Sequence, residues 1–253
     1  MLKHIVTAVD FTTATPQLYA RLQELRSWGT TRVTLVHVLS TRYPQAPDEG
    51  HREHYDRLLK AAARELGSQG LQVDWQVRSG SPAAEIVAAA REVDADTILT
   101  GTRSQTRLGD RFFGSTALNL ARLADRPLWL EPVFKEPAVQ PIQTMLLATD
   151  GSPSANGAGQ AFRELRSKAD RAIVLTVAKD GVRQPETLHS LPDVESRVDT
   201  GDPRERIVEI AREVNTGLVI VGKRGHTALH DLMLGSTAES VCRRTQRPVL
   251  LIP

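Results

Sequence analysis

The sequence predicts an α/β protein built twice, as two tandem parallel five-stranded sheets; taken as doubly wound, each has the expected strand order 3-2-1-4-5. Three observations predict this. The chain repeats itself, short apolar runs rich in β-branched residues alternate with helix-period segments, and helix-start signals stand between them.

The repeat is read by self-comparison. "HIVTAVD", ending at Asp10, matches "TMLLATD", ending at Asp150, and "LQELR", ending at Arg26, matches "FRELR", ending at Arg166, both at an offset of 140. Gly80 to Ser104 then matches Gly201 to Gly225 at an offset of 121, which also carries "FGST" at 113–116 onto "LGST" at 234–237. The fall from 140 to 121 means that the second half has lost 19 residues between its second and third strands. The halves are 1–132 and 142–253, joined by 133–141, a stretch with prolines at 137 and 141 that reads as a semi-rigid linker.

In the first half the apolar runs 4–9, 32–38, 72–77, 96–100 and 127–131 are short enough for buried parallel strands. Thr15-Pro16, Ser81-Pro82, Ser152-Pro153 and Asp202-Pro203 each set a capping residue before a proline at a helix start. After Pro82 the residues Ile86, Val87, Ala90 and Val93 recur at helical spacing, and Ile207, Val208, Ala211 and Val214 repeat the set after Pro203. Tyr55, Leu58, Leu59, Ala62 and Leu66 form another stripe, predicting a helix of about four turns between strands two and three. The matching stretch of the second half, "AKDGVRQPETLHSLPD", has two prolines and no stripe. It is expected to cross as a loop and to leave Ile173, Leu175 and Val177 on a partly open sheet face, to be covered by a second copy of the chain or by the chain's own loop through Val182, Leu188 and Leu191.

Function points to one stretch, "VGKRGHTALHDLMLGSTAES". Its first residues end strand four of the second half, and "GSTAES" opens a helix, with Ser236 and Glu239 spaced as a capping box. The amides at such a helix start attract anions, and Gly222 and Gly225 let a loop approach a ligand without Cβ clashes. In a doubly wound, Rossmann-like sheet, strands one and four flank the crevice at the switch point. A carboxylate at Asp150, able to bond a ribose hydroxyl or hold Mg²⁺, would therefore face the glycine loop.

The spacing Gly222-x2-Gly225-x9-Gly235-Ser236, with Asp150 in "ATDGS" and the terminal "RPVLLIP", resembles the universal stress protein family in its ATP-binding subtype, over essentially the whole chain as a tandem two-domain member. The resemblance implies that Asp150, Gly151, Ser152 and Ala178 line a nucleotide cleft. It implies that Val221, Gly222, Arg224 and Gly225 follow the ribose and phosphates, and that Gly235, Ser236 and Thr237 bind phosphates at the helix start. The expected cofactors are ATP and Mg²⁺. The first half keeps Asp10, Gly101, Arg103, Gly114, Ser115 and Thr116 but has Ser104 where the second has Gly225. Nucleotide binding is therefore expected mainly in the second half, because a Cβ is disfavoured if that backbone needs positive φ.

Other classes are excluded or disfavoured. Neither first turn carries the G-x-G-x-x-G of a dinucleotide enzyme, and G-x4-G-K-[ST] is absent. No general base can be argued from position, so little or no turnover of ATP is expected and the chain is not read as an enzyme. A non-catalytic interaction protein with vestigial clefts is the alternative. A net charge of +2 gives nucleic acid and membrane surfaces little to bind, and no apolar run approaches a membrane span. His226 and His230, four apart, have no third ligand and read as a solvated pair rather than a metal site. With one cysteine, Cys242, and no signal-like N-terminus, a cytoplasmic stress-response protein, pairing as a homodimer, is expected.

Overall fold

The computed structural model describes every residue except 13, 41–48, 104–112, 135–138, 179–192 and 226–233. The chain divides into two compact units between Val139 and Gln140, inside the predicted linker. His226, His230 and residues 179–192 of the predicted loop crossing lie outside the described residues.

The first unit runs β1 (His4–Ala8), α1 (Thr15–Trp28), β2 (Arg32–Ser40), α2 (Glu49–Ser68), β3 (Gln72–Gly80), α3 (Pro82–Glu92), β4 (Thr97–Arg103), α4 (Ser115–Leu123) and β5 (Leu128–Val133). Its strands lie in the order β3-β2-β1-β4-β5, all parallel, so the predicted 3-2-1-4-5 order is what forms. Right-handed crossovers set α1 and α2 on one face and α3 and α4 on the other. Leu18, Leu22 and Leu25 of α1 are fully buried, each worth about 1.5–3 kcal/mol. The helix stops at Gly29, whose left-handed φ of 116° turns its amide back onto the carbonyls of Leu25 and Arg26.

The same helix carries a charge inward. Arg21 is buried and holds Glu131 of β5 through Nε (2.9 Å) and Nη2 (3.1 Å), while the indole of Trp129 donates to the same carboxylate (2.9 Å) and Glu24 also pairs with Arg21. Burial pushes the Glu131 carboxyl above its usual range, against the pull of Arg21. The second unit has alanine and isoleucine, Ala161 and Ile252, at the matching positions.

The second unit runs β6 (Thr144–Ala148), a 3₁₀ turn (Pro153–Ala155), α5 (Asn156–Leu165), β7 (Arg171–Ala178), β8 (Val194–Thr200), α6 (Pro203–Glu213), β9 (Leu218–Gly222), α7 (Ser236–Arg244) and β10 (Val249–Ile252). The order β8-β7-β6-β9-β10, again parallel, repeats the first unit. The backbone repeats in detail, since Asp94 and Asn215, at matching positions, share a φ of 49°.

Several local expectations are corrected. α2 is longer than four turns. Of the four capping residues only Asp202 caps with its side chain, accepting from Arg204 N at 2.9 Å. Ser81 and Ser152 stand at the N-cap without a capping side-chain bond, Ser152 Oγ lying instead 2.9 Å from Ser154 Oγ, and α1 is preceded by Ala14 with Thr15 already helical. The capping box of α7 does not form: Gly235 is the N-cap, and Glu239 pairs instead with Arg243 at 2.8 Å. The face of β7 does not wait for a second copy, because Ile173, Val174 and Leu175 are all fully buried within the chain and Val177 is half-buried; Val182, Leu188 and Leu191 of the expected loop lie outside the described residues. The two units differ one strand further out. Trp75 of β3, whose indole donates to Asp56 of α2 (2.9 Å), is replaced at the matching position of β8 by exposed Ser196, leaving Val198 as the exposed apolar residue of that strand.

Candidate functional site

In the second unit β6 pairs with β9, Ala148 opposite Val221, so Asp150 and Lys223 leave the sheet side by side at the switch point. Asp150 is exposed, and its Oδ1 accepts from the Ser152 amide (3.0 Å) while Gly151, at φ 69°, donates to Thr149 Oγ1 (3.1 Å). The glycine loop reaches it: a Cβ on Gly225 would stand 2.9 Å from Asp150 Oδ2, closer than side-chain carbons come. None of Gly222, Gly225 and Gly235 has positive φ. The glycines serve close approach, and this corrects the reason given for Ser104, which itself lies outside the described residues.

The same packing continues to the helix. Gly235 donates its amide to the Lys223 carbonyl (2.9 Å), and a Cβ there would lie 3.2 Å from that oxygen. The amides of Ser236, Thr237 and Ala238 come ahead of the first intrahelical bond of α7, from Glu239 N to Gly235 O at 2.8 Å, and so carry the positive end of the helix dipole. Ser236 is exposed, Thr237, Arg224 and Ala178 are half-buried, and Val221 and Gly222 are buried. The structure thus brings together Asp150, Gly225, Gly222 and Gly235, with Ala178 at the end of the neighbouring β7.

In the first unit the matching place is a cavity of about 370 Å³. Asp10, Val38, Ser81, Ala83, Gly101 and Gly114 line it, with Ser115 and Thr116 from the start of α4. Thr12 fixes the Asp10 carboxylate, its amide (3.1 Å) and hydroxyl (2.6 Å) both donating to Oδ1. Among the described residues a Cβ on Gly114 would meet nothing within 4 Å, unlike one on Gly235. Arg103 ends β4, and the structure does not describe its side chain.

Sequence reasoning missed His37, which also lines this cavity. Its Nδ1 lies 2.8 Å from the Val9 carbonyl, an acceptor, so Nδ1 carries the proton. The ring stacks on Tyr55 of α2 at 3.8 Å and lies 5.7 Å from Phe11, and burial lowers its pKa below the usual imidazole value of 6.5. A signal was present in the sequence, a histidine inside an apolar strand with an aromatic in the following stripe. Also missed was a difference at the start of the third helix. The cavity residues Ser81 and Ala83 correspond to Asp202 and Arg204, which form an ion pair with Nη2 2.5 Å from Oδ2.

Comparison with known proteins agrees with this architecture. The model of the universal stress protein family matches residues 1–131 and 183–253. The chain is 26% identical over 170 residues to the universal stress protein Slr1230 of Synechocystis sp., an alignment covering 62% of this chain and 58% of that protein. It is 31% identical over 78 residues to the stress response protein NhaX of Bacillus subtilis, covering 31% of this chain and 47% of the relative. It therefore spans about half the length of these relatives. Among solved structures, a universal stress protein from Archaeoglobus fulgidus superposes with a TM-score of 0.83 at 20% identity, covering 100% of this chain and 98% of that one. A putative universal stress protein from Pseudomonas aeruginosa gives 0.72 at 16%, covering 99% and 93%. With its family model matched over most of its length, this chain belongs to the universal stress protein family.

Proposed function

We propose that this protein is a nucleotide-binding stress-response protein that takes ATP with Mg²⁺ mainly in its second unit and turns it over slowly or not at all. The observation that carries the reading is the approach of Gly225 to the Asp150 carboxylate beside the N-terminus of α7. A carboxylate, a loop with glycines at 222 and 225 and a row of helix amides near one switch point support that reading, because they suit a sugar and a phosphate chain. Mg²⁺ fits these residues, because that ion keeps several waters and is held by one or two carboxylates together with substrate phosphates. Asp150 would supply the carboxylate, and the ion would neutralise phosphate charge. Among the described residues no group of three His, Cys, Asp or Glu side chains could hold a metal without the nucleotide.

A second reading, an interaction protein with vestigial clefts, is favoured by one observation: the Gly235 amide is already engaged by Lys223 O. Calorimetric titration with ATP-Mg²⁺ separates the two. Binding at or below millimolar concentration, lost in Gly235→Val, supports the nucleotide reading, whereas no binding at millimolar ATP leaves the interaction protein. A homodimer of the chain is the expected assembly, on the ground that symmetric dimers are the commonest oligomers. Its support is narrower than the sequence suggested, since Val198 rather than a whole sheet face is exposed. Light scattering at micromolar concentration decides it.

A further inference from the structure

We propose that two copies of the chain join edge to edge through β8, antiparallel about a two-fold axis at Ser196. The inference deepens the homodimer reading and rests on it, and it is independent of nucleotide binding. β8 ends the strand order of the second unit, with β7 its one neighbour among the described residues. The Gly201 amide donates inward to Ala178 O (3.3 Å), so the Thr200 carbonyl, on the other side of the same planar peptide, points away from β7. Alternation along the strand sets the amides and carbonyls of Val194, Ser196 and Val198 outward as well. Such a row is a template for another strand. The matching edge of the first unit is guarded, because Arg52 of α2 donates to the outward carbonyl of Val77 (2.8 Å). The position that corresponds to Val77 in β8 is Val198, which is exposed.

The side chains select a second copy as the partner and fix the register. With Ser196 on the axis, Val194 faces the second copy's Val198 and Glu195 faces its Arg197, and symmetry makes each contact twice. An axis at Glu195 would set that carboxylate against itself. An axis at Arg197 would oppose Glu195 to Asp199, and one at Val198 would need the Thr200 amide, which Asp199 Oδ1 already takes (2.7 Å). Only the Ser196 axis sets opposite charges face to face and leaves Thr200 alone. Asp199 then meets the second copy's Asp193 at the ends of the ladder, with its charge held by Arg206 (2.7 Å). Within one chain Glu195 pairs with Arg171 (2.5 Å) and Arg197 with Glu213 (2.9 Å), so the contacts across the axis extend two existing ion pairs. Backbone bonds and charges carry this interface, and the small apolar area makes it a weak one, dissociating at roughly micromolar concentration.

The test is sedimentation velocity of the full chain without nucleotide, from micromolar to submillimolar concentration, with circular dichroism to verify the fold of each variant. Glu195→Arg, which turns the facing pairs into like charges, should weaken the dimer at least about tenfold. Glu195→Arg with Arg197→Glu should restore it to within about threefold. That swap sets like charges against Arg171 and Glu213 inside each chain, so recovery comes from pairing across the axis. The register has its own readout. Opposed Cα atoms in such a pair lie about 5.5 Å apart, within disulfide reach, so Ser196→Cys should cross-link to its copy under mild oxidation. The native Cys242 is buried, and Val198→Cys, which would face the second copy's Val194, should cross-link far more slowly. A dimer that Glu195→Arg leaves intact, or that Val198→Cys cross-links as fast as Ser196→Cys, overturns the inference and leaves the homodimer standing. A chain that stays monomeric throughout overturns both.

Discussion

At Gly225 a single added methyl group would crowd the Asp150 carboxylate. Its Cβ would stand 2.9 Å from Asp150 Oδ2, so Gly225→Ala must move either the loop or the carboxylate, and ATP affinity is expected to fall at least about tenfold by titration. Gly114→Ala meets nothing within 4 Å among the described residues and should leave ligand binding within about twofold. The buried imidazoles make a second residue-scale prediction. Desolvation lowers the pKa of both His4 and His37 below 6.5, so between their folded values and 6.5 the unfolded chain binds more protons. The stability they contribute is therefore present above pH 6.5 and lost as the pH falls below it. Thermal melts between pH 7 and 5.5 should show Tm falling with pH, and His37→Asn, whose amide keeps a donor near Val9 O, should flatten the slope. An unchanged slope would assign the loss to other groups.

Between elements, the repeat conserves contacts while exchanging the residues that make them. In the first unit Arg78 of β3 pairs with Glu85 of α3 at 2.8 Å, and in the second Asp199 of β8 pairs with Arg206 of α6 at 2.7 Å, the same two positions with the charges reversed. Arg206 holds the Asp199 carboxyl below its usual range. Arg206→Glu should lower Tm by setting like charges together, and Asp199→Arg with Arg206→Glu should recover most of the loss, as a double-mutant cycle would measure. No recovery would mean that the pair is incidental to strand–helix docking. The covering helix α2 shows the same economy: where the connection shortens, the tryptophan beneath it becomes Ser196 and the strand turns polar rather than sticky.

On the scale of the whole molecule the two units share a plan and differ in their interiors. The first places a charged pair, Arg21 and Glu131, inside the sandwich of α1 and β5, with Trp129 satisfying one carboxylate oxygen. Breaking such a pair from one side leaves a buried charge, so Arg21→Met should cost about 3–5 kcal/mol. Chemical denaturation is the measurement, and with ATP present the loss should be confined to the transition of the first unit. A single, equally shifted transition would show that the units unfold together. Among the described residues no helix is long and apolar enough to cross a membrane.

Strand order, the doubling of the fold, the apolar stripes of α2, α3 and α6, and the meeting of Asp150 with the glycine loop were legible in the sequence. The stripes and the doubling rest on periodicity and on a repeat, properties of neighbouring residues and of the chain compared with itself, whereas the strand order and the meeting at Asp150 followed from taking the fold as doubly wound. The helix caps were not legible, because a serine before a proline offers a capping oxygen only if its side chain turns that way, and here Asp202 alone does so. Nor was the burial of β7, since exposure depends on what the rest of the chain lays over a strand. The cavity of the first unit, with His37 against Tyr55, and the pairing of Arg21 with Glu131 join residues distant in sequence. Only the tertiary structure decided them, because no local pattern records which side chains from separate elements come within a few ångströms of one another.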